Sequence, residues 1–524
     1  MFGHYVFVIL ITQTFAVARS NTRPRWAARR SLPAAGLLLL LFGAPGFAQS
    51  TTAIAGTVHD EQDAAVPGVS VALRQTSSGL ERQATTDGTG RFEIANLPVG
   101  VHDLTFSLPG FAVVEKRVHA PTSARIEVDI RLNLAALTDA IQVVPQATVV
   151  DSTSAGTRHA VAITRVERMP VAVTSRGLEA VLVAFPGFAQ NANGAIHPRG
   201  AHNQMTFVVD GLPISDQLTG AFANALDVGV VQTAELVIGN IPAECGSKVS
   251  GVAVLSSRSG LGTGRPFTGA VSIAGGGFRT GQGSVQIGGE RGRIGYFGSV
   301  TTLRTNRFLD QVTIDNLHNA GRATRGFGRV DLRLDDRTQL RTHVMGGSSS
   351  FELANLRSQQ AAGQDQRQAL NDVSAWTSLV RTLDAASTLE ATAGYRTTTA
   401  DLRPSVGDTP VTASQDRRLS TYTVNGRYAR SFGPHLLRAG ADVQRFPVHE
   451  QFAMALTSPA FNVPGAASYN EALLPYDLTR GGTHFRFEDQ RTGHQASAFV
   501  QSTLAWWPVR RSSNRKGDPP RVTS

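Results

Sequence analysis

The chain has 524 residues, about three domains on a prior of roughly 150 residues each. It carries 50 Lys+Arg against 40 Asp+Glu, a net charge of +10, but five of the excess charges fall in residues 1–48 and four in residues 507–524. The remainder carries only +1, so no nucleic-acid surface is implied, and the single cysteine excludes an internal disulfide framework or a cysteine-based zinc ribbon.

Charged residues make up 17% of the chain and there are 52 glycines, against averages near 25% and 7%. Little charge and much glycine point to β structure with many turns. Residues 23–48 read RPRWAARRSLPAAGLLLLLFGAPGFA. Arg23, Arg25, Arg29 and Arg30 form a positive segment, Leu37–Phe42 an apolar one, and Gly46 and Ala48 stand at −3 and −1 of a cleavage site. That order is a secretory signal peptide, assigned to 1–48, and its apolar run is too short to span a bilayer. An earlier apolar stretch, Tyr5–Ala18, is either sequence upstream of the true start codon or a signal anchor. No later segment offers about 20 uninterrupted apolar residues, so a membrane would be crossed by strands.

From Thr52 to Leu132 short alternating runs are separated by turn residues. Val69, Val71 and Leu73 alternate, as do Phe92 and Ile94, Leu104 and Phe106, and Ile126, Val128, Ile130 and Leu132. Thr86-Asp87-Gly88-Thr89-Gly90 and Leu97-Pro98-Val99-Gly100 lie between them. About seven short strands over 50–134 predict a small antiparallel β-sandwich. The stretches AGTVHDEQDAAVPGVSVAL and TTDGTGRFEIANLPVGVHDLTFSLPGF resemble the carboxypeptidase regulatory-like domain. That resemblance implies a carbohydrate-binding-like fold, and with it two roles, sugar binding or a structural spacer. Sugar sites need flat aromatic platforms, and this segment has no Trp or Tyr. No HExxH zinc motif is present, so no peptidase is implied.

Residues 135–159 read as a linker or as an edge strand for a partner. The following pieces are VERMPVAVTSRGLEAVLVAFPGFAQ, HPRGAHNQMTFVVDGLPISDQ and VQTAELVIGNIPAECGSKVSGVAVLSSRSG. Glu179–Phe185 predicts a short helix, and Phe207–Val209 running into Asp210-Gly211 predicts a hairpin. As a set, the FPGF helix end, Arg199-Gly200, Val209–Gly211 and the IPAECGSKVSGVA stretch resemble the plug domain of TonB-dependent outer-membrane receptors, over 160–262. Cys245 departs from the family, which carries an aromatic there, and reads as an inert small residue. The resemblance implies plug-motif residues Arg199, Gly200, Asp210, Gly211 and Glu244, with Arg199, Asp210 and Glu244 placed for ion pairs to a barrel wall. Plain turn and solvent-facing roles are equally open to them. It also implies an energy-coupling segment at Asp139, Ile141, Gln142, Val143 and Val144.

Residues 263–506 alternate apolar with small or polar residues in runs of about ten, as in FTGAVSIAGGGF, RIGYFGSVTTL, GFGRVDLRL, STLEATAGYRTT and STYTVNGRYARSF. Ten candidate strands are joined, from the second onward, by links alternately short (291–292, 335–338, 385–387, 433–435) and long (305–323, 350–370, 399–418, 447–493). That parity predicts a transmembrane β-barrel, with Tyr296, Trp376, Tyr395, Tyr422 and Tyr428 as an interfacial aromatic girdle. Plugged transporters have about 22 strands. Ten therefore predict an incomplete barrel, truncated after about Trp506, and an aberrant basic tail at 507–524. An open sheet leaves two unpaired edges that lipid does not tolerate.

The expected class is thus all-β dominated: sandwich, α+β plug and partial barrel. No catalytic elbow, phosphate loop, cofactor motif or metal motif is found, so no enzyme is expected. The family implies energised solute uptake across the outer membrane of a Gram-negative cell. Its partners would be a periplasmic TonB-type transducer, outer-membrane lipid, and a small solute such as a siderophore, oligosaccharide or peptide. The alternatives are a non-transporting binding or structural module and a gene remnant.

Overall fold

The computed structural model describes residues 51–133 and 157–504, with gaps of which the longest are 163–181 and 215–225, and two N-terminal strands, Phe7–Ile11 and Ala16–Ala18. The arginine-rich leader at 23–48, the expected coupling segment Asp139–Val144, Gly200, Glu244, Cys245 and residues 507–524 lie outside the described residues.

Residues 51–131 form two four-stranded sheets. One holds Thr51–His59, Arg91–Pro98, Arg125–Glu127 and Ile130–Arg131; the other holds Ser70–Gln75, Glu81–Thr85, Gly100–Ser107 and Val114–Ala120. The alternating apolar positions turn inward, and Ile54, Leu73, Phe92, Leu104 and Phe106 share one buried core. Phe92 and Phe106 meet edge to face at 5.4 Å, so neither offers a sugar platform. The sandwich is not wholly antiparallel, because Arg125–Glu127 and Ile130–Arg131 run parallel to Thr51–His59. Period-two alternation fixes which face a residue takes but is silent on strand direction.

A third, five-stranded sheet runs in the order Thr157–Ala162, Val231–Ile238, Gly251–Ser257, Met205–Val209, Leu212–Pro213. Only Met205–Val209 and Gly251–Ser257 pair in parallel. Of the expected helix, Leu182 and Val183 are described as helical, and Leu182 is fully buried.

Ten further strands form a single antiparallel sheet in chain order. They are Thr268–Gly276, Thr280–Arg291, Ile294–Thr305, Gly321–Asp335, Thr338–Glu352, Arg367–Asp384, Ser387–Arg403, Val411–Phe432, His435–Leu456 and Phe485–Leu504. The first and tenth strands do not pair with each other, so the sheet is open, and Phe7–Ile11 and Ala16–Ala18 pair along the tenth. The second to eighth strands have two unlike faces. Outward, Ile287, Val300, Val330, Val344, Val373 and Val424 are 45–60% exposed. So much contiguous apolar surface is not what water-facing β-sheet shows, and it is what lipid-facing strands require. Inward, the alternate positions are largely polar or packed, among them Arg329, Asp331, His343, Ser374 and Thr392.

Several strands are longer than the alternation suggests. The links expected at 350–370, 399–418 and 447–493 shrink to 353–366, 404–410 and 457–484. Crossing needs only about 9–11 residues, and ladder pairing carries the strands on beyond that. There the side chains are charged, as where Arg417 meets Glu450 at 3.2 Å. Among the described residues no helix is long and apolar enough to cross a membrane, which has no bearing on strands.

Candidate functional site

The five-stranded sheet is seated on the inner face of the ten-stranded wall, and its core is continuous with it. Leu182, Leu212, Leu236 and Leu255 share one buried cluster with the wall residues Phe297, Phe327, Met345 and Trp376. Each such side chain stabilises by roughly 1.5–3 kcal/mol when withdrawn from water. Trp376, expected in the aromatic girdle, is only 2% exposed and faces inward. It occupies the same face of its strand as Asp372, Ser374 and Ser378, all buried, whereas Tyr395 and Tyr422 face outward and meet at 5.0 Å.

Close approach requires glycine where the two layers touch. A Cβ on Gly260 would lie 2.1 Å from the Gly289 carbonyl oxygen and 2.4 Å from that of Tyr296. Gly260 belongs to the connection that leaves Gly251–Ser257 and enters the wall, and it lies flat against the second and third wall strands.

At the centre of the contact stands the turn Asp210-Gly211. Both residues take positive φ, 43° and 89°, as the turn of a two-residue hairpin demands. The turn presents the Asp210 carboxylate, 9% exposed, to the wall. Its Oδ1 accepts from the Ser257 N–H at 3.2 Å and lies 3.5 Å from Arg329 Nη1. Its Oδ2 lies 3.4 Å from His343 Nε2, an ion-pair distance without hydrogen-bond alignment.

Strand register assembles the rest. Arg329 stands directly across from His343, Asp331 across from Arg341, His343 across from Trp376, and Glu390 across from Arg427. Arg329 donates from Nε and Nη2 to the two Asp331 oxygens at 2.8 and 2.9 Å, and from Nη1 to the Ser257 carbonyl at 3.0 Å. Ser259 Oγ donates to Asp331 at 2.6 Å, and Gln339 Nε2 at 3.1 Å. His343 stacks on Trp376 at 4.6 Å and 9°. Three acidic side chains (Asp210, Asp331, Glu390) and three arginines (Arg329, Arg341, Arg427) thus lie along one seam, each acid across from or beside an arginine. Buried charges persist only when paired in this way.

Burial opposes ionisation of Asp210, but Arg329, the His343 contact and the Ser257 N–H outweigh it, and its carboxyl is held well below the usual carboxylate range. Two further contacts join this part of the chain to the wall: Gln286 Nε2 donates to the Gly229 carbonyl at 3.3 Å, and the Ala243 N–H donates to Gln501 Oε1 at 3.2 Å. Arg199, by contrast, is exposed. Its backbone is left-handed (φ 48°) and its N–H donates to the Gly187 carbonyl at 2.7 Å. The sandwich touches the wall through Glu93 and Arg333, 3.4 Å apart, two residues from the short 335–338 turn.

The wall partners of Asp210 carry a signal in the sequence that strand counting passes over. Arg329-Val330-Asp331 and Arg341-Thr342-His343 each place two charged or titratable groups two residues apart in otherwise small and apolar strands. Spacing by two puts both on one face.

Residues 53–133 match the family model of the carboxypeptidase regulatory-like domain. No curated protein matches the chain in sequence. Among solved structures, the ferripyoverdine receptor of the Pseudomonas aeruginosa outer membrane is 11% identical with a TM-score of 0.49, over 71% of this chain and 54% of that one. The ferric citrate transporter FecA is 13% identical with a TM-score of 0.48, over 67% and 54%. The copper transporter OprC is 12% identical with a TM-score of 0.49, over 66% and 52%. The chain spans about half the length of these structures.

Proposed function

We propose that the chain is an outer-membrane receptor of the TonB-dependent kind, in which a plug gates energised uptake of a small solute. The observation that carries this reading is the seating of the Asp210-Gly211 hairpin on the polar inner face of a sheet whose outer face is apolar. A plug must be held firmly enough to close the lumen and released by a pull from one side. A hairpin tip pinned by one buried carboxylate among paired charges meets both needs, because separating it exposes charged groups that water then solvates.

In this reading the long links face outward and receive the solute, a siderophore, oligosaccharide or peptide. The short turns and the sandwich face the periplasm, which the Glu93–Arg333 contact beside a short turn supports. Arg199, Gly200, Asp210, Gly211 and Glu244 are the plug-motif residues, and Asp139, Ile141, Gln142, Val143 and Val144 the segment that a TonB-type transducer grips.

The test is capture of a transducer's periplasmic domain by the purified chain in detergent, with and without residues 139–144. The reading expects capture by the intact chain and loss of it on deletion. No capture by the intact chain would overturn the energised receptor.

A further inference from the structure

Away from the plug, at the long-link end of the wall, His318, Glu352 and Asp365 bring one ligand atom each within 4.8 Å of one another. His318 lies in the 306–320 link, Glu352 ends the fifth strand, and Asp365 lies in the 353–366 link, so the three join neighbouring loops. The His318 side chain is 11% exposed and its backbone is left-handed (φ 51°).

The imidazole is oriented from behind. His318 Nδ1 is 2.9 Å from the Leu353 carbonyl oxygen. A carbonyl only accepts, so Nδ1 carries a hydrogen, and Nε2 lies on the other side of the ring. That nitrogen lies 2.7 Å from Asp365 Oδ1. Either a proton or a metal ion shared between the two closes a contact this short, and a metal ion displaces the proton on loading. A backbone carbonyl on Nδ1 fixes the ring so that Nε2 is the atom presented, which is the arrangement that orients histidine toward a metal.

Glu352 lies alongside, its Oε2 accepting from the Ala320 N–H at 2.8 Å. Arg367 reaches Asp365 from Nε at 2.7 Å and Glu352 from Nη2 at 3.3 Å, and its side chain is 54% exposed.

From this geometry we infer that His318, Glu352 and Asp365 form a binding site for a divalent transition-metal ion of the zinc class, clamping the 306–320 and 353–366 links together. One imidazole nitrogen and two carboxylates suit such an ion, which takes nitrogen and oxygen ligands at about 2.0–2.2 Å and leaves a position open for water or a solute group. Ligand atoms at those lengths stand roughly 3.3 Å apart, so the His318–Asp365 pair opens by about half an ångström on loading. The inference stands on the loop geometry alone and survives if the uptake reading fails.

The test is Zn²⁺ binding to the purified full chain in detergent, read by competition with a chromogenic chelator. One tight Zn²⁺ per chain is expected, weakened about tenfold or more by His318→Gln and by Asp365→Asn. His484→Gln, at an exposed position of another loop, leaves it unchanged. Arg367→Gln, which removes the competing cation, keeps or tightens it. A measurement on the unaltered chain guards against a variant that fails to fold: Zn²⁺ should shield His318, and not His484, from diethyl pyrocarbonate, as mapped by mass spectrometry. No tight Zn²⁺ in the unaltered chain, equal binding by His318→Gln, or modification of His318 unchanged by Zn²⁺ would each overturn the site.

Discussion

Asp210 concentrates the requirements of the plug contact in one side chain. Its left-handed backbone is one that aspartate, asparagine and glycine tolerate best, and its carboxylate meets Arg329, His343 and the Ser257 N–H. Asp210→Asn keeps the turn but removes the charge. Because Arg329 retains Asp331, the cost should be that of one charged hydrogen-bonded partner, roughly 1–3 kcal/mol. A double-mutant cycle with Arg329→Gln, followed by denaturant unfolding, should give a coupling of about 0.5–3 kcal/mol. A coupling near zero would mean that the two charges do not support each other.

The same carboxyl sets a pH dependence. Its folded-state pKa is depressed, so its contribution is complete above the unfolded value of about 3.9 and declines as pH falls below that. The unaltered chain should therefore lose plug stability below about pH 4 more steeply than Asp210→Asn. Superimposable acid unfolding profiles would contradict this.

Among the elements, the strands were the most legible part of the sequence, because alternation in runs of about ten, joined by links of alternating length, admits few other folds. Their ends were less so. Beyond the lipid-facing band both faces become polar, as around Asp416, Arg417, Arg418 and Glu450, and the alternation that marks a strand fades while its hydrogen bonds continue. Trp376 departs from the aromatic girdle for a related reason. An aromatic in such a strand suits the girdle or the plug contact, and only the phase set by Asp372, Ser374 and Ser378 decides between them. The two-faced wall makes its own prediction. Val344 points outward, 55% exposed, between the inward residues His343 and Met345. Val344→Arg should cost about 2–4 kcal/mol if it sits at the bilayer midplane, read as a fall in folding stability in lipid vesicles. An unchanged stability would place that face in water.

Over the whole molecule, the fold class is legible in the sequence, because small sheets and large sheet have different patterns: turn-rich short strands and long alternating runs. The seam that joins plug to wall was only half readable. The hairpin announced Asp210, but its partners depend on strand register, which aligns Arg329 with His343 and Asp331 with Arg341 across a turn, and on which face of the wall the plug occupies. That face is the central claim, and cysteine cross-linking tests it most directly. In a Cys245→Ala background in detergent, a short bis-maleimide should join Leu212→Cys to Gly394→Cys, since a Cβ on Gly394 lies 2.9 Å from the Leu212 side chain. It should not join Leu212→Cys to Val344→Cys on the opposite face. Efficient joining of the first pair alone is the predicted result, and equal yields from the two pairs would contradict a plug seated inside the wall.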